Sequence, residues 1–508
     1  MASSSIPSGY DVVILGGGVA GCVLAARLSE DPGRSVCLVE AGPDYGPRQR
    51  DWPEKVRNAR ALPRDDVWER HTAFYRIRAR VLGGSSCING CWNTWGSPAD
   101  HSEWVRAGGE RWSAPAMEPY RRRAAERMGL RTAPGYELSA WSAGALAAAR
   151  ELGYPEVDMG SPDGGPGRGE PLLNAVDGLR RNAAFAYLDP ATRDRPNLTV
   201  LSGALVDRLT VRGGRVHGVE VRAGGVDARG GGGLTALTLT AGTYVLAAGT
   251  FGSPGVLLRS GVGPAAHLAE NGIRCEVDLP GVGANLSDQP GVFLPLSPTA
   301  ALNAALADKE AAGELYVSRM LVRAASERCP AGSWDLHLLP TAGPPLFGKL
   351  PPGQYEAGVS AFLMKPLSRG RVRLRSADPC EPPEIDPAFL TDPDGHDVAV
   401  LRSGLAKAAE LAAALGPLAG PPADGGVPVR ELSDAALRDR VGTYWHPVGT
   451  CAMGPQDDPL AVVDGAGRVH GVADLRIADA SVLPTVPAAN TQLPVLAAAE
   501  MLADTLRA

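Results

Sequence analysis

The run Asp11-Val-Val-Ile-Leu-Gly-Gly-Gly-Val-Ala-Gly21 decides the fold class. Asp11–Leu15 has the length and apolar composition of a buried strand, and Gly16-Gly-Gly-Val-Ala-Gly21 closes it. Cys22–Ser29 reads as a helix, and Ser35–Val39 as a second buried strand ending at Glu40. Strand, glycine turn, helix and strand within about thirty residues open a dinucleotide-binding α/β fold. The spacing has a mechanical meaning. Gly16 permits the tight turn, Gly18 lets a pyrophosphate approach the backbone, and Gly21 lets the helix lie on the strand. Val19 and Ala20 belong to the same turn, where unpaired N–H groups and the helix dipole favour an anion. Glu40, followed by Ala41, can accept both ribose hydroxyls, which favours an unphosphorylated adenosine ribose over a 2′-phosphate. FAD and NAD both satisfy these residues.

Outward from this unit, composition sets the boundaries. The 508 residues are 44% hydrophobic, enough for two to four domains or one large composite fold and too apolar for a disordered chain. Fifty basic against 56 acidic residues give a charge of −6 and no basic field for nucleic acid. No stretch reaches ~20 apolar residues without charge, so no segment is expected to span a bilayer. Met1–Gly9 has neither a basic nor an apolar leader region, so a secretory signal is not expected. The eight Cys, at 22, 37, 87, 91, 275, 329, 380 and 451, are dispersed. Cys87-x3-Cys91 is the only close pair, and nothing nearby completes a zinc site. No metal is expected, and reduced, buried thiols fit a cytoplasmic protein.

Along the chain, residues 45–80 read as an irregular surface excursion, and 115–153 carry helical periodicity. The Arg121-Arg-Arg123 run reads as a solvated helix face. Leu198–Leu201, Ala204–Arg212 and Val216–Arg222 alternate like half-buried strands, and Ala223–Gly233 reads as a flexible glycine-rich hairpin. Leu237–Thr240 and Tyr244–Ala248 follow as two further strands. Residues 291–440 hold more Pro and strand-like pieces at Trp334–Leu339, Gly358–Met364 and Gly370–Leu374, the pattern of a second domain. A final helix spans Val495–Arg507, started by Pro494.

Four further segments narrow the choice of cofactor. They are Arg80-Val-Leu-Gly-Gly-Ser-Ser-Cys-Ile-Asn-Gly90, Gly249-Thr-Phe-Gly-Ser-Pro254 through Gly263, Gly281-Val-Gly-Ala-Asn-Leu-Ser-Asp-Gln289, and a C-terminal block. That block runs from His446-Pro-Val-Gly-Thr-Cys451 through Ile477-Ala-Asp-Ala480 to Asn490-Thr-Gln492. In this order, over nearly the whole chain, they resemble the glucose-methanol-choline (GMC) oxidoreductase family. The resemblance implies a mixed α/β fold: a Rossmann-like FAD-binding domain, related to p-hydroxybenzoate hydroxylase, and a substrate-binding domain on a mostly antiparallel sheet with helices. The first is expected from 1–155, 190–290 and 440–508, the second from 156–189 and 291–439. FAD is implied in an extended pose, its flavin at the domain boundary.

Arg80, Gly83, Gly84, Ser85, Asn89 and Gly90 match the loop that family members lay along pyrophosphate and flavin. Asp479 and Ala480 match the ribityl and phosphate region, and Val206 a backbone contact to adenine. Ala248, Thr491 and Gln492 complete the implied cofactor set. Some relatives attach flavin through a His just before the Asn of the first segment; Ile88 stands there, so noncovalent FAD is expected. Asn93 occupies a position where an aromatic or Ala is usual, so substrate contacts do not transfer from known members.

His446 lies in the apolar, glycine-bearing turn Tyr444-Trp-His-Pro-Val-Gly449, and by itself reads as a core residue or a general base. Asn490 by itself reads as a cap for the last helix. The resemblance makes them a catalytic His–Asn pair facing the flavin. The implied reaction is oxidation of a primary or secondary alcohol to an aldehyde or ketone. His446 takes the hydroxyl proton, Asn490 donates to the oxygen, and a hydride passes to flavin N5. The partners are then a small-molecule alcohol and an electron acceptor, either oxygen or a quinone or protein carrier, in a monomer or homodimer. A GMC-fold lyase or decarboxylase without net alcohol oxidation is the alternative, and a noncatalytic flavin binder and an NAD-dependent dehydrogenase are further rivals. Ser85-Ser86 does not complete a nucleophile elbow. Cys451 and His470 read as structural, and His71, His101, His217, His267 and His396 carry no motif. His337 lies in the second domain, within reach of lining its pocket.

Overall fold

The computed structural model describes residues 9–507 apart from 61, 64, 69–74, 76, 162–163, 225–234, 346–348 and 422–431. His71 and most of the glycine-rich connection expected at 223–233 lie outside the described residues. The strands that position the site are, in chain order, β1 (Gly9–Leu15), β2 (Val36–Val39), β3 (Leu198–Leu201), β4 (Ala204–Arg212), β5 (Arg215–Ala223) and β6 (Thr235–Leu246). They continue with β7 (Pro290–Pro298), β8 (Leu321–Ala324), β9 (Leu336–Gly343), β10 (Glu356–Leu363) and β11 (Leu475–Ile477). The corresponding helices are α1 (Val19–Leu28), α2 (Pro98–Gly108), α3 (Ala114–Met128), α4 (Ala140–Glu151), α5 (Ala183–Tyr187), α6 (Gly249–Arg259), α7 (His396–Ala414) and α8 (Gln492–Arg507).

Two seven-stranded sheets organise the chain. The first runs β3-β2-β1-β6-β5-β4, with β11 joining β6. Its parallel part is buried on both faces, which is why β2 is apolar at every position. The two strands expected at 237–240 and 244–248 are one, β6, because Gly242 stays within the extended run. Its first half pairs antiparallel with β5 up to Leu239, and its second half runs parallel to β1 from Thr240 to Leu246. One strand thus joins a Rossmann-type layer to an antiparallel meander. Helix α1 is buried at Ala20–Ala26 and Leu28 and packs against α8.

The second sheet is antiparallel, with β7-β10-β9-β8 at its centre and α7 packed on β10 and β9. Its hydrophobic core is separate from the first. Two helices lie in the other core from the one their segments suggest. Trp141, Ala145, Ala148 and Ala149 of α4 pack in the second core, and Ala183, Ala184, Ala186 and Tyr187 of α5 in the first. Periodicity reports that a helix has an apolar face, not which sheet receives it.

Two smaller expectations are also corrected, and a third is met. Helix α8 starts at Gln492, with Pro494 in its first turn, where a missing N–H costs no intrahelical bond. The strand-like piece at Gly370–Leu374 is a strand over Arg371–Arg373, in a two-stranded ribbon with Glu384–Asp386. The Arg121–Arg123 run is not simply solvated. Arg121 and Arg122 pair with Glu118, whereas Arg123 reaches Glu500 at 3.2 Å and Asp504 at 3.4 Å and ties α3 to α8.

Candidate functional site

A cavity of about 1780 Å³ runs between the two cores. Gly16, Gly18, Val19, Ala20, Glu40, Ala41, Arg80, Gly84, Ser85, Asn89, Gly90, Val206, Ala248, Asp479, Ala480, Asn490, Thr491, Gln492 and His446 all line it. Gly21 and Gly83 do not. A Cβ on Gly21 would stand 1.9 Å from the Gly16 carbonyl oxygen, so its absence lets α1 seat on the turn. Gly83 takes φ +95° and donates its N–H to Gly17 O at 2.7 Å, which shapes the loop from behind.

The glycine turn divides its labour. At Gly16, φ is +116° and a Cβ would meet Ala247 O at 2.5 Å, so the fold itself demands glycine. At Gly18 the nearest such atom is 4.0 Å away, and the backbone is open to the cavity. The protein's own packing does not require glycine there; a bulky group brought against the backbone does, as a dinucleotide pyrophosphate would be. Glu40 Oε2 accepts from Gly17 N (2.8 Å) and Oε1 from Gly42 N (2.7 Å). Each oxygen keeps one lone pair for a ribose hydroxyl. Burial raises this carboxyl above its ordinary range, against the opposing pull of Gly42, Gly17 and Arg80.

Asp479 is fully engaged. Gly249 N (2.8 Å) and Ser253 Oγ (2.5 Å) donate to Oδ2, and Ser481 N (2.8 Å) and Oγ (2.5 Å) donate to Oδ1. It pins the start of α6 to the turn at Ala480–Val482, and a carboxylate at a helix start is favourable. Asn89 Nδ2 donates to Gln492 Oε1, Gln492 Nε2 to Asn93 Oδ1 (2.9 Å), and Asn93 Nδ2 to Asn174 Oδ1 (2.9 Å). Asn93, out of place by family pattern, is a fully buried link in this amide chain.

At the other end, Trp445 takes φ +62°, a left-handed conformation that costs a bulky side chain strain and turns His446 toward the cavity. The turn is clamped by Asp288. Its Oδ1 accepts from His446 N (2.9 Å), and its Oδ2 from Tyr75 OH (2.8 Å) and Thr443 Oγ1. His446 Nδ1 lies 2.7 Å from Gln289 Oε1. Gln289 Nε2 donates to the Pro487 (2.7 Å) and Ala489 (3.2 Å) carbonyls, which fixes Oε1 as an acceptor. The network therefore assigns the proton to Nδ1 and the lone pair to Nε2. Burial, reinforced by Arg78, brings the imidazole pKa down to about 3. Asn490 Oδ1 accepts from Thr94 Oγ1 (3.0 Å), and Asn490 N donates back to the same oxygen (2.8 Å), leaving the Nδ2 protons for other acceptors.

Neither the clamp of Asp288 and Gln289 nor Thr94 is apparent from sequence as part of the site; the one signal was their place in or beside family motifs. His337 does not line the cavity. It is wholly buried behind Tyr444, with ring centroids 6.1 Å apart. His470 Nε2 meets Gly454 O at 3.1 Å in a structural contact. Cys451 is buried, which pushes its thiol well above the ordinary value. Among the described residues, no group of three or more His, Cys, Asp or Glu could hold a metal ion, and no helix is long and apolar enough to cross a membrane.

Comparison with known proteins agrees with this geometry. Models described as GMC oxidoreductase match residues 10–291 and 366–499. The chain is 33% identical over 548 residues to a 5-(hydroxymethyl)furfural oxidase of Methylovorus sp. (strain MP688), covering 98% of each. It is 32% identical over 557 residues to the choline oxidase of Arthrobacter globiformis, covering 98% of this chain and 94% of the relative. The crystal structure of a pyridoxine 4-oxidase from Mesorbium loti superposes with a TM-score of 0.81 at 29% identity, covering 98% of this chain and 99% of that one. The chain belongs to the GMC oxidoreductase family and is an FAD-dependent oxidoreductase.

Proposed function

We propose that this enzyme oxidises a small primary or secondary alcohol to the aldehyde or ketone, with His446 as general base and Asn490 as the second contact to the alcohol oxygen. The observation that carries the reading is the Nδ1–Gln289 hydrogen bond, which leaves Nε2 of a neutral imidazole as a proton acceptor in the same cavity as the Asn490 amide. The substrate hydroxyl donates to His446 Nε2, and Asn490 Nδ2 donates to the same oxygen. As the proton moves to Nε2, the amide takes up the charge developing on oxygen, and Gln289 Oε1 holds the proton on Nδ1. Bound FAD would supply the two-electron acceptor for the hydride of the carbinol carbon. The residues lining the cavity from Gly16 to Ala41, from Arg80 to Gly90 and from Asp479 to Gln492 hold that cofactor. Ile88 offers no nucleophile for a covalent link, so the FAD is noncovalent. Relatives named for hydroxymethylfurfural and choline support an alcohol donor.

Anaerobic mixing with a panel of sugar, aryl and aliphatic alcohols, followed by admission of oxygen, tests the reaction and its acceptor. At least one alcohol is expected to bleach the flavin. With the imidazole pKa near 3, only about 1 part in 100 is protonated at pH 5, and less above. The bleaching rate should therefore be flat from pH 5 to 8; an inflection between 6 and 7 contradicts a base so depressed. Failure of every alcohol to bleach the flavin favours the lyase reading instead.

Gln289→Leu removes the acceptor for Nδ1 and frees the imidazole to adopt the wrong tautomer. Flavin reduction should slow roughly 10–100-fold, as when a functional His loses its orienting partner, with FAD absorbance unchanged. Stopped-flow reduction at pH 7 is the check.

A further inference from the structure

We propose that Tyr444 is a positioning residue that sets His446 and Asn490 relative to one another. This rests on the reading of those two as the reacting pair. Tyr444 is 8% exposed and touches both. Its ring lies against the His446 imidazole, with centroids 4.5 Å apart and planes tilted by 46°. Its buried hydroxyl has the Asn490 side chain beside it, within interaction distance, and no other hydrogen-bond partner among the described residues. Its backbone N–H donates to Gln289 O (2.9 Å), so the residue that orients Nδ1 also fixes the start of the Tyr444 side chain.

The ring is immobilised from behind. Phe362 stacks on it with centroids 3.9 Å apart and planes within 6°, and His337 meets it edge-on at 82°. Phe362 sits on β10 opposite Gly291 of β7 and His337 of β9. A Cβ on Gly291 would come within 2.1 Å of the Phe362 ring, so glycine there is what admits the phenyl group. Trp334 Nε1 donates to Ala488 O (2.8 Å), holding the approach to Asn490 against the same cluster. A continuous run of packed rings thus leads from the centre of the second sheet to the base. Tyr444 touches both members of the pair, its ring on the imidazole and its hydroxyl on the Asn490 side.

Two variants of the FAD-loaded enzyme separate ring from hydroxyl. Tyr444→Phe keeps the ring contacts and should slow flavin reduction about 3–10-fold, the loss of roughly one hydrogen-bonding group beside the amide. Tyr444→Leu removes the ring and should slow reduction at least ~50-fold, a misplacement effect, with KM changed less than about 3-fold. It should also change the pH profile. The charged and titratable groups facing His446 are Arg78, Asp288 through the backbone N–H, and His337 behind the ring. None is altered by the substitution, so a new acid limb between pH 5 and 7 reports water reaching the imidazole. FAD absorbance and a thermal midpoint confirm folding, and Tyr444→Phe remains the test should the Leu variant not fold. Reduction within 2-fold of native in Tyr444→Phe, or in Tyr444→Leu with a flat pH profile, overturns the proposal. If His446→Ala also reduces normally, the reacting pair itself is misassigned; if His446→Ala is slow while the Tyr444 variants are normal, only the positioning role falls.

Discussion

Purified His446→Ala protein is expected to remain yellow and to reduce its flavin with an alcohol at least ~100-fold more slowly than the native chain, the low end for loss of a general base. The two halves of this outcome have separate physical grounds. Retention of FAD follows because the glycine turn, Glu40 and Asp479 are tied to β1, β2, α6 and the turn at Ala480–Val482 by contacts that do not include the imidazole. Loss of rate follows from the proposed mechanism, in which Nε2, left as an acceptor by the Gln289 hydrogen bond to Nδ1, takes the substrate proton. Truncation also leaves the strained Trp445 turn without the ring it serves to aim, yet Asp288 still binds the backbone N–H at position 446, so the loop should keep its path. Stopped-flow reduction under anaerobic conditions, with absorbance near ~450 nm as the cofactor check, reads both halves. Native reduction rates in this variant would remove His446 from the mechanism.

Gly18→Val should give a folded protein that retains less flavin than the native chain. Position 18 has φ −74° and ψ −161°, which a β-branched residue adopts, and beyond its own chain neighbours the nearest described atom to its Cβ position is Ala247 O at 4.0 Å. The side chain therefore projects into the cavity where the pyrophosphate is expected. Overpacking of that kind costs ~1–3 kcal/mol, or about 5–150-fold in FAD affinity. The contrast is Gly21→Val, whose Cβ would overlap the Gly16 carbonyl at 1.9 Å and which should damage the fold itself. The ratio of 450 nm to 280 nm absorbance, set beside the thermal unfolding midpoint of each variant, distinguishes the two. A Gly18→Val protein as yellow as the native chain would show that the cofactor does not approach this backbone.

The first β-turn-α-β unit was legible because each of its cues is local: an apolar run, glycines at fixed offsets, an acid at the next strand end. As candidates, His446 and Asn490 come from motifs and not from their chemistry, since a His in an apolar turn and an Asn before a helix each have an ordinary structural reading. What sequence did not reveal depends on register and on packing between distant segments. β6 serves two ladders because residues on either side of Thr240 face different partners. α4 and α5 exchange cores because an alanine face fits either sheet. Phe362 reaches Tyr444 only because β10 pairs with β7 so that Gly291 stands opposite. Gln289 looked like the end of a glycine-bearing segment until Pro487 and Ala489 fixed which way its amide points.

The strand β11 joins the edge of β6 in parallel, and α8 closes over α1. Both come from the last part of the chain, while their partners include its beginning. On a ribosome adding ~5–20 residues per second, the 508-residue chain takes roughly 25–100 s to emerge. Until residues 475–507 are made, the nucleotide-binding half lacks a strand and the helix that packs on α1. The second sheet, drawn largely from residues between 290 and 363, can assemble earlier. The nucleotide-binding half therefore completes its sheet only once residues 475–507 are available to pair, although it holds the chain's first strand.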